Sequence, residues 1–398
     1  MAYADIGELV VVAGGGVEVP TSYGDGSVTS DNGDGGPATE ATVIRPEGMA
    51  VAPDGTLYIC EVGPERVRAV SPSGIITTVA GPGKEPRRPI GAARPGVPMP
   101  DGQPGTETYL YDPRFVAVGP DGTLYIADEW YRVLALSPDG RMSVLAGTGT
   151  AGFSSDGGPA RQAALAQVSG LGVAPDGTVY IGDIGSRRLR AVSPEGIITT
   201  VAGNGTADYE AAHAGKDATR VSVPGPKDPV VDRDGDVWFN NSGNLLRLSD
   251  GALATVTRPE PDQWGLTTRR LDVMDPTVDF INAMAVGPDG VYLFNANSEV
   301  LRLGAGNIVE TIARTDVVFA SLAVGPGGEV YIADFTGDRV LMFRPPPVGS
   351  RDVLPSWQTL VQGGMVLGIL LVLGNWLVRR RIRSRAEVSA GADRGRSS

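Results

Sequence analysis

The stretch that decides the fold is Val51-Ala52-Pro53-Asp54-Gly55-Thr56-Leu57-Tyr58-Ile59, in which two short apolar segments flank a Pro-Asp-Gly cluster. Pro presets φ, Asp bonds to nearby backbone and Gly accepts a positive φ, so the cluster predicts a β-turn between two strands. The signature recurs at Val118–Ile126 and around Pro175, Arg233, Pro288 and Pro326, at intervals of 38 to 67 residues. Because one small sheet cannot bury both of its faces alone, this repeat predicts a ring of stacked sheets.

Residues 48–81 contain one complete unit of the repeat. Four short apolar or alternating segments are separated by Pro/Asp/Gly and Ser/Pro/Gly turns, which is the pattern of a four-stranded antiparallel blade. The same pattern predicts further blades at about 115–147, 170–203, 229–257, 283–313 and 321–344. The sequence therefore predicts an all-β, six-bladed β-propeller.

The last blade lacks its fourth strand in the sequence. After Val340–Phe343 the chain enters Pro345–Pro347, and proline cannot donate a hydrogen bond to a sheet. At the other end of the chain, Leu9–Gly14 has the fourth-strand pattern of Thr78–Gly81 but precedes the first blade. We therefore predict that this amino-terminal strand completes the sixth blade and closes the ring.

Two motifs carry a resemblance to a known family. They are the segment Ile197-Ile198-Thr199-Thr200-Val201-Ala202-Gly203 and the linker Gly152–Ala160, whose Asp-Gly-Gly-Pro-Ala core returns at Asp34–Ala38. Over residues 8–344 the chain resembles the NHL-repeat family of six-bladed propellers, especially bacterial forms related to the teneurin NHL domain. The resemblance implies the fold but leaves the function open, because propellers include binding proteins, lactonases and lyases.

Composition restricts the partners and the chemistry. The net charge is −12, and the last twenty residues carry seven Arg against two acids, so the rest of the chain is more acidic still. An acidic body repels phosphate backbones, which argues against a nucleic-acid partner. His213 is the only histidine and lies in a polar Ala/Gly loop, which argues against histidine-rich metal sites and Ser/His/Asp triads. The single cysteine, Cys60, excludes an intrachain disulfide.

One end of the predicted ring gathers the candidate binding residues. Long linkers at 82–113, 148–169 and 204–227 reach this loop-rich rim, where ligands are commonly bound. The residues just before the innermost strands are predicted to line the mouth of the central channel: Glu47, Arg114, Ser169, Lys227 and Asn282. In lactonase-like propellers Glu and Asn hold a divalent cation, as Glu47 and Asn282 would here, but Arg114 and Lys227 would repel it.

A second set of polar residues follows the second strand of each blade. In four blades an acid is followed a few residues later by Arg, and where the acid is replaced by Asn the Arg disappears as well. This joint loss predicts charge-assisted pairs that tie each loop: Glu61–Arg66, Asp128–Arg132, Asp183–Arg188 and Asp334–Arg339. The alternative, a ring of carboxylates that binds a cation, is the less favoured interpretation of the same residues.

The carboxyl-terminal region predicts a membrane anchor. A Pro-rich stalk at 345–356 leads to an apolar segment at 357–378, which as a helix would span roughly 33 Å, and to a basic tail at 379–398. The positive charges favour a tail in the cytoplasm and a propeller outside the cell membrane. Residues 1–7 lack the features of a signal peptide, so a propeller that stays in the cytoplasm behind a tail anchor is the alternative. The pair Gly364 and Gly368 predicts a helix-mediated dimer.

These patterns predict a single-pass membrane protein whose propeller is a non-enzymatic binding module for a protein or glycan at the rim, without a cofactor. The alternative is a metal-dependent lactonase or hydrolase with Glu47 and Asn282 at the channel mouth.

Overall fold

Six antiparallel sheets form the described part of the chain in a computed structural model. The model describes residues 9–15, 32–82, 99–129, 131–154, 156–208, 216–256, 268–270, 281–304, 308–317 and 320–345. The predicted stalk beyond Pro345, the apolar segment at 357–378, the basic tail at 379–398 and the pair Gly364 and Gly368 lie outside these residues. Within them, no helix has both the length and the apolar character needed to cross a bilayer.

Each sheet is one blade, and in blades 1 to 5 the strands are consecutive in the chain. Blade 1 contains β2 (Pro46–Val51), β3 (Leu57–Glu61), β4 (Arg66–Val70) and β5 (Ile76–Ala80). Blade 2 contains β6 (Asp101–Pro104), β7 (Phe115–Val118), β8 (Leu124–Asp128), β9 (Arg132–Leu136) and β10 (Arg141–Ala146). Blade 3 contains β11 (Gly158–Pro159), β12 (Val168–Val173), β13 (Val179–Asp183), β14 (Arg188–Val192) and β15 (Ile197–Ala202).

The second half of the ring repeats this organisation. Blade 4 contains β16 (Lys216–Asp217), β17 (Pro226–Val231), β18 (Val237–Asn241), β19 (Asn244–Ser249) and β20 (Ala252–Thr255). Blade 5 contains β21 (Thr268–Arg270), β22 (Ile281–Gly287), β23 (Gly290–Asn295), β24 (Glu299–Gly304) and β25 (Ile308–Arg314). Blade 6 contains β26 (Ala320–Val324), β27 (Val330–Asp334), β28 (Arg339–Phe343) and the amino-terminal β1 (Val10–Ala13).

The ring closes through its first strand, as predicted. Strand β1 pairs antiparallel with β28, with Val10 opposite Met342 and Val11 opposite Leu341. The innermost strands contact one another in a complete cycle, β2 to β7, β12, β17, β22, β26 and back to β2. The six-bladed, all-β prediction is therefore confirmed for the described residues.

The apolar core lies between blades, not inside them. The described residues form six buried apolar clusters, and each cluster combines side chains of two neighbouring blades. Ile59, Ile126 and Ile181 occupy equivalent positions of the second strands and are fully buried. A blade is thus stabilised by apolar contact with its neighbours on both sides, which is why the repeat is stable only as a closed ring.

The linkers add an outer strand to the blades that they enter, which the sequence pattern did not predict. Strands β6, β11, β16 and β21 pair with the fourth strands of blades 2, 3, 4 and 5, and Pro37 forms a bridge to Ile75 in blade 1. Short 3-10 helices follow the first three of these strands, at Gly105–Glu107, Ala160–Gln162 and Ala218–Arg220. The linker that enters blade 3 thus makes a single 3-10 turn directly after Gly158-Pro159.

A glycine at the end of the fourth strand joins one blade to the next linker. The Gly81 N–H donates to the Gly105 carbonyl, and the Gly147 N–H donates to the Ala160 carbonyl, at 3.0 and 3.1 Å. Both glycines have positive φ, and a Cβ on Gly81 would clash with the Glu65 carbonyl. The Thr-Val-Ala-Gly pattern thus supplies the close backbone approach that the blade junction requires.

Candidate functional site

All the predicted site residues lie at one end of the ring, which we call the linker end. Here the innermost strands begin and the second strands end, so mouth residues such as Glu47 and loop residues such as Asp128 share this end. The Pro-Asp-Gly turns lie at the opposite, turn end. The antiparallel order of each blade produces this segregation, because the first strand starts where the second strand stops.

Arg114 is the centre of a charge cluster at the linker end. Its guanidinium lies 2.7 Å from the Asp112 carboxylate, 3.2 Å from Glu47 and 3.3 Å from Glu129. The Arg114 side chain remains 38% exposed. Burial raises the pKa of Glu47, and the nearby Arg114 opposes that rise. Arg45 is a second cation whose charge acts on Glu47. Among the described residues, the three carboxylates therefore exceed the two guanidinium groups by one negative charge.

A pocket of about 200 Å³ opens beside this cluster, between blades 2 and 3. Asp112, Arg114, Glu129, Tyr131 and Gln167 supply its polar wall, and Phe115 is among the residues of its apolar wall. This volume suits one side chain or one small ring. The pocket combines an apolar surface, a few convergent polar groups and an acidic excess, which is the composition of a recognition site.

The other predicted mouth residues do not join this cluster. The Ser169 hydroxyl is buried and lies 3.0 Å from the Gly182 carbonyl and 2.5 Å from the Pro226 carbonyl, where it connects blades 3 and 4. Lys227 and Asn282 are exposed, and neither has a hydrogen bond or ion pair to Glu47 or Arg114 within the described residues. The mouth is therefore a set of separate groups, of which the structure brings together only Glu47 and Arg114.

Asp228 is a titratable residue of the mouth that the sequence analysis missed. Burial raises its pKa to about 7, with Lys227 opposing the rise and Glu47 adding to it. It directly follows Lys227, so extending the predicted ring by one residue would have found it. The described residues nevertheless contain no group of three or more His, Cys, Asp or Glu side chains placed to hold a metal ion.

Three of the four predicted loop pairs are in contact. Arg66 lies 2.5 Å from Glu61, Arg132 lies 2.8 Å from Asp128, and Arg339 lies 2.9 Å from Asp334. The first two pairs are almost completely buried, whereas the Arg339 side chain is 37% exposed. In blades 4 and 5 the acid is replaced by Asn241 and Asn295, whose amide oxygens instead accept backbone N–H groups.

The predicted pair Asp183–Arg188 is wrong. Asp183 accepts hydrogen bonds from the backbone N–H groups of Ala166 and Gln167 and from the Ser186 hydroxyl. Arg188 donates to the carbonyls of Ser186 and Asn204, and its guanidinium stacks 3.9 Å from the Phe153 ring centre. Burial raises the pKa of Asp183, and these hydrogen bonds oppose the rise. Asp183 thus has backbone and hydroxyl donors in place of the guanidinium, and Arg188 has two carbonyl acceptors and the Phe153 ring in place of the carboxylate.

Two further ion pairs join the linkers to the blades and were not predicted. Arg68 lies 2.5 Å from Asp34, and Arg190 lies 2.8 Å from Asp156. Each aspartate begins the Asp-Gly-Gly-Pro-Ala motif, and each lies 34 residues before its arginine. That shared spacing is the sequence signal that would have found both pairs.

The comparisons with known proteins agree with this architecture. Residues 8–94 and 87–193 match the family model described as the Teneurin NHL domain. Mouse teneurin-3 is 28% identical over 40% of this chain and 8% of its own length. Drosophila melanogaster teneurin-m is 30% identical over 43% of this chain and 6% of its own, and mouse teneurin-4 is 25% identical over 87% and 12%. The chain thus spans only a small part of the relatives that it matches.

Solved structures with the same architecture include a protein of unknown function from Bacteroides thetaiotaomicron, at a TM-score of 0.53 and 14% identity over 84% of this chain and 75% of that one. A putative gluconolactonase aligns at a TM-score of 0.49 and 13% identity over 86% and 93%. At 14% identity the Bacteroides thetaiotaomicron structure shows the fold alone. The family-model match, the teneurin relatives and the six closed blades together show that the chain belongs to the NHL-repeat family of β-propellers.

Proposed function

We propose that this protein is a membrane-anchored, non-enzymatic binding module that holds a basic side chain of a protein partner in the pocket between blades 2 and 3. The observation that carries the proposal is the acidic excess of that pocket. Among the described residues, the carboxylates of Asp112, Glu129 and the neighbouring Glu47 lie 2.7 to 3.3 Å from the Arg114 guanidinium, and Arg45 is the other cation that acts on Glu47.

Charge and size both favour such a ligand. A second cation in the pocket would be attracted by the excess carboxylates in a site that is partly shielded from water, where charge interactions are stronger than on an open surface. A pocket of about 200 Å³ admits one Lys or Arg side chain, whose methylene stem would contact apolar surface such as Phe115. A neutral glycan would use the hydroxyl-binding capacity of the same carboxylates but not their charge.

A labelled oligoarginine peptide tests this proposal. We expect the full chain in detergent to bind the peptide, and Glu129→Gln to weaken binding by about fivefold to tenfold, roughly the value of one partly exposed charge contact. Glu195→Gln is the matched control, because Glu195 is an exposed acid in a turn-end loop of blade 3. Fluorescence anisotropy gives both affinities.

The alternatives give different results in the same assay. Binding of a neutral oligosaccharide with no binding of the peptide would replace the protein partner with a glycan. Equal losses in Glu129→Gln and Glu195→Gln would mean that only net charge matters and would contradict the pocket assignment. A metal-dependent hydrolase would instead retain a stoichiometric divalent cation that is lost in Glu47→Ala.

The membrane anchor is the second part of the proposal and rests on the sequence of residues 357–378 and the basic tail that follows. We expect the chain to remain in the membrane fraction after carbonate washing, and the propeller to be cut by protease added to intact cells. Protection of the propeller until the cells are lysed would contradict the extracytoplasmic orientation.

A further inference from the structure

Blade 3 has a different charge pattern from the other blades that carry the acid and arginine. Arg187 and Arg188 lie together at the start of β14, and Asp183 is the acid of the same loop. The positions equivalent to Arg187 are Glu65 in blade 1 and Asp338 in blade 6. The loop of blade 3 therefore has one base more than acid, whereas those of blades 1 and 6 have one acid more than base.

The Arg188 charge has no carboxylate partner within the described part of the chain. Its guanidinium donates to two carbonyls, those of Ser186 and Asn204, at 2.7 and 3.1 Å. A guanidinium has five N–H groups, and the described residues supply hydrogen-bond acceptors for two of those on Arg188. The side chain is half-buried and so still reaches solvent.

Phe153 fixes this arginine and covers a second one. The Phe153 ring centre lies 3.9 Å from the Arg188 guanidinium carbon and 4.8 Å from that of Arg190, and the ring itself is 44% exposed. The Arg190 side chain is fully buried, and no described residue accepts a hydrogen bond from its Nε or Nη1. Two guanidinium groups thus lie close to one partly exposed aromatic ring, and Asp156 is the carboxylate that pairs with Arg190.

We propose that Arg187 and Arg188, together with the exposed face of Phe153, form a site that binds a carboxylate side chain of an acidic peptide segment. We call it the Arg188 site. A half-exposed guanidinium held flat by an aromatic ring presents its remaining N–H groups in the fork geometry that matches a carboxylate. The phenyl ring would contact the methylene groups of a glutamate, and the exposed Arg187, the residue before Arg188, adds a second positive charge to the same loop.

The occupant follows from charge complementarity. The chain is acidic overall, so Arg187 and Arg188 form a positively charged patch on a mostly negative surface. Such a patch attracts an acidic partner and disfavours a basic one. The Arg188 site lies on blade 3, and the acidic pocket of the proposed function lies between blades 2 and 3, so the two sites take groups of opposite charge. Because their probes differ in sign, failure of one proposal is distinguishable from failure of the other.

A labelled oligoglutamate peptide is the probe for the Arg188 site. We expect Arg188→Gln to weaken its binding to the full chain by about tenfold and Arg187→Gln by about threefold, as for the loss of one bidentate and one exposed charge contact. Arg141→Gln, at an exposed arginine near the turn end of blade 2, should change the affinity less than twofold. The basic tail contributes equally to every variant, so the differences report the site.

A footprint on the wild-type chain locates the contact directly and does not depend on whether any variant folds. Phenylglyoxal modifies exposed arginines, and mass spectrometry measures the modification of each one. Oligoglutamate should slow the modification of Arg187 and Arg188 at least about threefold and leave Arg141 unchanged. Equal protection of all three arginines, no protection, or displacement of the peptide by inorganic phosphate at lower concentration than by glutamate would overturn the assignment.

Discussion

The matching loops of blades 2 and 3 both contain an aspartate followed by an arginine, but the two side chains form an ion pair in blade 2 and have separate partners in blade 3. In blade 2, Asp128 and Arg132 form a buried ion pair at 2.8 Å. In blade 3, Asp183 accepts backbone N–H groups and Arg188 stacks on Phe153. A repeat motif therefore fixes the backbone of a loop, whereas the linker packed against it decides which side chains meet.

The largest expected effect comes from making the same substitution in both loops. Asp128→Asn leaves the fully buried Arg132 guanidinium without its carboxylate, and we expect it to lower the free energy of unfolding by about 3 to 5 kcal/mol. Asp183→Asn keeps an amide oxygen for the N–H groups of Ala166 and Gln167 and should cost no more than about 1 kcal/mol. Urea unfolding of the two variants measures both values. Equal losses of unfolding free energy would contradict the claim that only the blade 2 aspartate is in an ion pair with its arginine.

Asp228 extends the comparison to an acid with neither kind of partner, because the described residues donate no hydrogen bond to its carboxylate. Its pKa rises from 3.8 to about 7 in the folded protein, so the folded state binds a proton more tightly than the unfolded state. Stability should therefore fall as the pH rises from about 4 to 7. Asp228→Asn should remove this loss.

The measurement is the free energy of unfolding of wild type and Asp228→Asn at two pH values. At pH 8 we expect the variant to be more stable by about 2 to 4 kcal/mol, since each pKa unit corresponds to about 1.4 kcal/mol. At pH 3.5, where Asp228 is largely protonated in both states, the two proteins should be equally stable. A difference that does not change with pH would contradict the shifted pKa.

The smallest expected effect is at the Phe153 ring, which stacks on the Arg188 guanidinium. Phe153→Ala removes the contacts with two guanidinium groups, and we expect it to cost about 1 kcal/mol of stability. Tyr109→Ala is the control, because Tyr109 is 53% exposed and should cost less than about 0.5 kcal/mol. Equal melting temperatures for the Phe153→Ala protein and wild type would mean that the ring does not hold the arginines.

The sequence predicted the fold well because the fold is repetitive. The apolar alternation around each Pro-Asp-Gly turn defines the blades, and the fourth-strand pattern at Leu9–Gly14 identified the strand that closes the ring. The outer strands escaped prediction because some are only two residues long, as at Gly158–Pro159, and carry no alternation.

The site was less predictable because it depends on contacts between distant residues. Glu47 and Arg114 form an ion pair although they are 67 residues apart in the sequence. Phe153 and Arg188 are also far apart in the sequence. The sequence of the blade 3 loop does not indicate that Phe153, which lies in the preceding linker, stacks on Arg188. The joint loss of acid and arginine in blades 4 and 5 did identify three real pairs, because there the two partners are close in the chain and on paired strands.

The most direct test is a pair of double-mutant cycles, in which each acid is changed to Asn and each arginine to Gln, separately and together. The coupling energy is the part of the double mutant's cost that the two single mutants do not explain. We predict a coupling of at least about 2 kcal/mol between Asp128 and Arg132, and less than about 0.5 kcal/mol between Asp183 and Arg188. A coupling in blade 3 as large as that in blade 2 would show that Arg188 is paired with Asp183, and the charge assigned to the Arg188 site would not be available to a ligand.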